Sequence, residues 1–93
     1  MTPTLEQRVT VSADTLASEL GEEVVLLNLA SGVYFGLDET GARMWSALTR
    51  GHTIREALEV LFDEYDVDSD TLQRDLITLV ERLELKGLVQ LTS

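Results

Sequence analysis

The chain contains no cysteine. Disulfides, thiolate metal sites, iron–sulfur clusters and cysteine nucleophiles are excluded together. Cations are scarce as well: seven Lys and Arg stand against seventeen Asp and Glu, a formal charge of −10 over 93 residues. So acidic a surface repels phosphate backbones and anionic headgroups, which argues against general nucleic-acid or membrane-surface binding. Long apolar runs are missing too. The longest, Val24-Val25-Leu26-Leu27, falls far short of the roughly 20 residues a spanning helix needs. The opening Met1-Thr2-Pro3-Thr4-Leu5-Glu6 has no basic segment followed by an apolar core, so no signal peptide is expected and the expected location is cytoplasmic.

Residues that carry chemistry are equally sparse. His52 is the single histidine, set in a loop between Gly51 and Thr53. Catalysis and metal binding usually require partners for it, and no His-x-x-x-His, Glu-x-x-His or Gly-x-Ser-x-Gly pattern supplies them. The acidic run Asp63 to Asp70 resembles a calcium loop only superficially. That loop needs glycine at its sixth position and a bidentate glutamate at its twelfth; counted from Asp63 these positions hold Asp68 and Arg74. The run reads instead as helix-capping and solubilising acid. Gly32, Gly36 and Gly41 lack the Gly-x-Gly start of a dinucleotide site. No catalytic residue, metal site or cofactor is expected.

What is present is enough apolar content, 44% of residues, to fold. The length suits one domain spanning 1–93, which buries only about 60–65% of its unfolded surface. Either Arg8-Val9-Thr10-Val11 or Thr15 to Leu20 can supply a first strand. Glu22 to Leu29 is β-branched and apolar, a strand buried on both faces or crossing the core. Ala30-Ser31-Gly32 makes a three-residue hairpin turn, and Val33-Tyr34-Phe35-Gly36-Leu37 returns with Val33, Phe35 and Leu37 on one face. Asp38-Glu39-Thr40 opens a helix that Gly51 stops, and Thr53-Ile54-Arg55-Glu56 fits a capping box for a second. A third helix runs from about Ser69 to Lys86, with a short final strand over Leu88 to Leu91. The order predicts an α+β domain of winged helix-turn-helix character, a three-stranded antiparallel sheet followed by three helices.

Two features exceed what a bare fold demands. On the last helix Leu72, Leu76, Leu79, Val80, Leu83 and Ile77 form an apolar arc about 160° wide, with Asp75 and Arg82 on one flank. Such an arc either fills the core or leaves part of its width to a cleft. The Val33–Leu37 strand would be a sheet edge with no proline or lysine to guard it. Either the N-terminal segment covers that edge or a foreign extended peptide adds to it. A dimer interface built on the same apolar cleft is a further reading.

The segment from Gly32 to Trp45, together with Gly51-His52-Thr53-Ile54-Arg55-Glu56, Tyr65-Asp66-Val67 and Leu83 to Val89, resembles PqqD-like proteins over about residues 20 to 91. The run Tyr34-Phe35-x-Leu37-Asp38 with Trp45 is most similar to the stand-alone leader-recognition proteins of lasso-peptide biosynthesis. The resemblance implies a non-catalytic element that binds the leader of a ribosomally made precursor peptide as an added antiparallel strand. The partners it implies are that leader, a leader peptidase and a macrolactam synthetase, with no nucleic acid or membrane. It puts the binding cleft on Val33, Tyr34, Phe35, Gly36 and Leu37 of the strand and Leu72, Asp75, Leu76, Leu79 and Arg82 of the last helix. Alternatives are a peptide chaperone for pyrroloquinoline quinone or another modified peptide, and a winged-helix DNA-binding domain.

Overall fold

Burial with a period of two identifies the central strand. Over Glu23–Asn28, Val24, Leu26 and Asn28 are buried, while Val25 and Leu27 are only half-buried. The computed structural model describes residues 3–50 and 52–92. Their elements are β1 (Arg8–Val11), β2 (Thr15–Leu20), β3 (Glu23–Asn28), β4 (Val33–Leu37), α1 (Glu39–Leu48), α2 (Ile54–Glu64), α3 (Ser69–Leu85) and β5 (Val89–Thr92). Strands β2, β3 and β4 form an antiparallel sheet in that order, and the helices follow it, giving the expected α+β architecture. The shortest dimension, 19 Å, leaves room for the sheet and one helical layer. One face of β3 is therefore uncovered, which is why its burial alternates instead of holding on both faces.

Both candidate first strands form, with different partners. Thr15–Leu20 joins the three-stranded sheet, whereas Arg8–Val11 pairs antiparallel with the C-terminal strand, Val9 opposite Leu91 and Val11 opposite Val89. Val9 and Val89 are buried in the common core, and burying both is what draws the chain ends together. The β3–β4 hairpin has four loop residues, 29–32, because Asn28 pairs with Val33. Asn28 Oδ1 accepts from the backbone N–H groups of Ala30 at 3.0 Å and Ser31 at 3.3 Å, lengthening the turn by one residue beyond the expected three. Gly32 closes it at φ +75°, a conformation that favours glycine.

Helix starts follow local chemistry. The Asp38 carboxylate accepts from Gly41 N–H at 2.8 Å and caps α1. Thr53 and Glu56 form the complete capping box of α2: Thr53 N–H donates to Glu56 Oε1 at 2.8 Å, and Glu56 N–H to Thr53 Oγ1 at 3.1 Å. The Thr53 backbone N–H, and after it the Thr53 hydroxyl, hold the Glu56 carboxyl below its ordinary pKa, with the nearby charges of His52 and Arg8 adding to the effect. Asp68 occupies the cap position of α3 without a side-chain bond to its backbone. Gly51, the expected stop of α1, lies outside the described residues. The core gathers Leu26, Leu48, Ile54, Leu61, Leu76, Leu83 and Leu88 from both layers.

Candidate functional site

Strand β4 is rich in β-forming side chains, and its alternation sends Val33, Phe35 and Leu37 toward the helices. Leu37 is buried and Val33 and Phe35 are half-buried, whereas Tyr34 and Gly36 lie on the opposite, exposed face. Among the described residues β4 pairs with β3 alone. Its other side presents the N–H and C=O groups of alternate residues, without a strand to receive them.

Helix α3 runs antiparallel to β4. At its N-terminal end Leu72 and Asp75 share a cavity of about 150 Å³ with Thr40 and Met44 of α1 and with Tyr65, Val67 and Thr71. At its C-terminal end the Lys86 ammonium lies 5.9 Å from the centre of the Phe35 ring, and Asn28 Nδ2 donates to the carbonyls of Lys86 at 3.1 Å and Gly87 at 3.4 Å. Direct packing between α3 and β4 is slight; β4 rests on β3 and α1, and α3 on α2 and β5. Asp75 thus lies toward the end of α3 beside α1, and Lys86 at the other end beside Phe35 of β4.

The ten residues assigned from sequence divide by depth. Leu72, Leu76 and Leu79 are buried, so most of the wide apolar arc of α3 belongs to the core, together with Val80 and Leu83. Asp75 and Arg82 are exposed on α3, Asp75 on the cavity wall. Leu72 and Asp75 thus meet in one cavity. Tyr34 and Gly36 lie on the exposed face of β4, away from the helices, and Phe35 between them faces the helices.

Sequence reasoning did not place Thr40, Met44, Tyr65 and Val67 at a site. They come from α1 and from the joint between α2 and α3, and only the tertiary fold brings them beside Leu72. The signal was the Tyr65-Asp66-Val67 joint itself, an aromatic and a branched residue in an otherwise acidic connection. Arg43 steadies it: its guanidinium lies 5.9 Å from the centre of the Tyr65 ring and pairs with Glu39 at 3.5 Å and Glu64 at 3.9 Å. Among the described residues no cluster of His, Asp and Glu could hold a metal ion, and no helix is long and apolar enough to cross a membrane.

The family described as coenzyme PQQ synthesis protein D (PqqD) matches residues 23–89. No curated protein matches the chain. Two solved structures resemble it closely. One is TbiB1 in complex with the TbiA(beta) leader peptide, 38% identical, covering 87% of this chain and 94% of that one with a TM-score of 0.82. The other is a lasso peptide synthetase B1 complexed with the leader peptide, 28% identical, covering 91% of this chain and 98% of that one with a TM-score of 0.77.

Proposed function

The chain belongs to the PqqD family, and from that premise we propose that it recognises the leader segment of a ribosomally synthesised precursor peptide, of the lasso class. The leader adds to β4 as a fourth, antiparallel strand. The observation that carries this reading is the β4 edge, which has no strand partner among the described residues. Main-chain bonds from Val33 to Leu37 supply affinity that is indifferent to leader sequence; side-chain sites supply the choice.

Those sites differ in kind. Leu76 and Leu79 of α3 are buried in the core, and Leu72 with Met44 and Tyr65 lines a cavity large enough for an apolar side chain. Asp75 at one end, with Arg82 and Lys86 toward the other, select leader charges and fix register. An antiparallel addition to β4 runs parallel to α3, so a leader cation belongs near Asp75 and a leader carboxylate near Lys86.

The protein acts without catalysis or cofactor, in the cytoplasm. It hands the bound precursor to a leader peptidase and then to a macrolactam synthetase. The pyrroloquinoline quinone alternative rests on the family description; the likeness to the leader-bound lasso peptide synthetase B1 favours the lasso system. A DNA-binding role is disfavoured by α3 itself, whose Arg74 and Arg82 are outnumbered by Asp70, Asp75, Glu81 and Glu84. Calorimetric titration with synthetic leader tests the proposal. Saturable one-to-one binding, weakened about tenfold by Asp75→Lys in a folded protein, is expected. Absence of binding by the unaltered chain contradicts it.

A further inference from the structure

The free edge of β4 has a defined bonding pattern. Leu29 N–H donates to the Asp14 carbonyl at 2.8 Å, on the β2 side of β3. Alternation then turns the main-chain groups of Leu26 and Asn28 toward β4, where they meet Phe35 and Val33. The N–H and C=O groups left pointing outward along β4 are those of Tyr34 and Gly36. No strand receives them among the described residues, and α3 packs only slightly against β4.

This edge is complementary to itself. A two-fold axis through Phe35 relates two antiparallel copies of β4 so that Tyr34 faces Gly36 of the other copy and Val33 faces Leu37. Both outward residues then meet outward residues, four main-chain bonds form, and none of the free groups is left over. An axis through Tyr34 sets Gly36 against Gly32, whose N–H is already donated to the Asn28 carbonyl at 2.7 Å. An axis through Gly36 sets Tyr34 against Asp38, beyond the end of the strand.

Side chains agree with the same register. Val33, Phe35 and Leu37 stay together on the helix side of the joined sheet. On the other side Tyr34 is 67% exposed, and a Cβ added at Gly36 would meet nothing within 4 Å. Beside Gly36 is a recess of about 160 Å³ lined also by Glu23, Val25 and Asp38. The Tyr34 ring of the other copy covers the glycine, and its hydroxyl is a neutral donor suited to those carboxylates.

Charge permits the pairing and limits its strength. β4 carries no charged residue, and Asp38 just beyond it falls opposite Gly32, so no two carboxylates stand directly across from each other. The exposed Lys86 ammonium lies 5.9 Å from the centre of the Phe35 ring, and the axis brings two such cations toward each other. Each copy also carries a net charge of −10. Five residues of contact fall well below the roughly 1,200 Å² of a stable interface, so association is weak and strengthens as salt screens the repulsion.

We propose that, without a leader, two copies of this chain pair through β4 in that register, each closing the other's edge. The second copy and the leader use the same main-chain groups and exclude one another. That exclusion rests on the leader-recognition reading, whereas the pairing does not.

Sedimentation velocity of the full chain tests the pairing. A monomer–dimer equilibrium should appear as concentration rises to about 1 mM, shift toward dimer at higher salt, and return to monomer with saturating synthetic leader. Tyr34→Glu sets a carboxylate against Glu23 and Asp38 of the other copy and should weaken association about fivefold or more. Mixing that variant with Gly36→Lys should restore it, because only this register places residue 34 against residue 36. If Tyr34→Glu melts earlier than the parent, amide exchange decides: the Tyr34 and Gly36 amides of the parent should be protected in concentrated solution and exchange freely in dilute solution. Monomer at every concentration, or equal exchange in both solutions, overturns the proposal. So does a dimer that a folded Tyr34→Glu leaves intact, or a loss that Gly36→Lys does not repair. A dimer that persists with leader bound places the contact elsewhere and overturns it as well. If no leader binds while the dimer and its repair stand, the leader-recognition reading falls and the pairing remains.

Discussion

Asn28 shows how much one residue can join. It is the buried polar side chain of β3, it donates to the carbonyls of Lys86 and Gly87, and it accepts from the turn that leads into β4. The end of α3 is thereby tied to the hairpin carrying the exposed edge. Asn28→Ala strands these backbone groups, and it should cost about 1–3 kcal/mol, read as a lower urea midpoint with unchanged slope. Gly87 stands at φ +70°, and a Cβ there would lie 2.9 Å from Asn28 Nδ2, so alanine meets both strain and a clash. A second residue-scale prediction concerns acid. The folded-state pKa of Glu56 is depressed below its ordinary 4.5 by the Thr53 backbone N–H first and the hydroxyl second. Its contribution to stability is present above the unfolded pKa and is lost as pH falls through the folded value. Carboxyl-detected NMR should place Glu56 below 4.5, and Thr53→Ala should move it part of the way upward by removing the hydroxyl while keeping the backbone N–H; an unmoved titration contradicts the hydroxyl's share.

At the scale of elements, the proposed reading gives β4 and α3 different parts of recognition. If β4 recognises backbone, methylating the leader's amides one at a time should weaken binding with a period of two, by about tenfold at the positions that donate to the edge. A uniform small effect would place the leader elsewhere. Leu79 is a core residue, so Leu79→Ala should destabilise the fold by about 2–4 kcal/mol, measured by chemical denaturation. Exposed Asp75 is the better probe of α3 for that reason. Most of these elements were legible in the sequence where their cause is local: the Thr53-to-Glu56 capping box, Asp38 at the head of α1, and the alternation of Val33, Phe35 and Leu37. The extra turn residue was not, because it depends on where the Asn28 amide points. The pairing of β1 with β5 was hidden for a different reason. It joins Arg8 to Thr92 across nearly the whole chain, and no local pattern encodes a partner that distant.

On the scale of the whole molecule, charge separates the possible roles. A protein of net charge −10 should not retard duplex DNA in a gel at physiological salt, and tight, salt-sensitive retardation would revive a DNA-binding role. The open edge of β4 was legible in outline, through a strand with no proline or lysine to guard it. The cavity walls from Thr40, Met44, Tyr65 and Val67 were not, since α1 and the α2–α3 joint meet α3 only after the core has formed. The breadth of the α3 arc overstated the cleft: a chain this small spends most of such a face on its own core. What remains open in the sheet is the edge of β4, which pairs with β3 alone among the described residues.

The most direct measurement is amide hydrogen exchange across β4, followed by NMR on the labelled protein with and without synthetic leader. The account predicts that alternate amides between Val33 and Leu37 become protected on binding, with cross-strand contacts between their α-protons and those of the leader. Unchanged exchange along β4 at saturating leader, with the shifts confined to other surfaces, would contradict it.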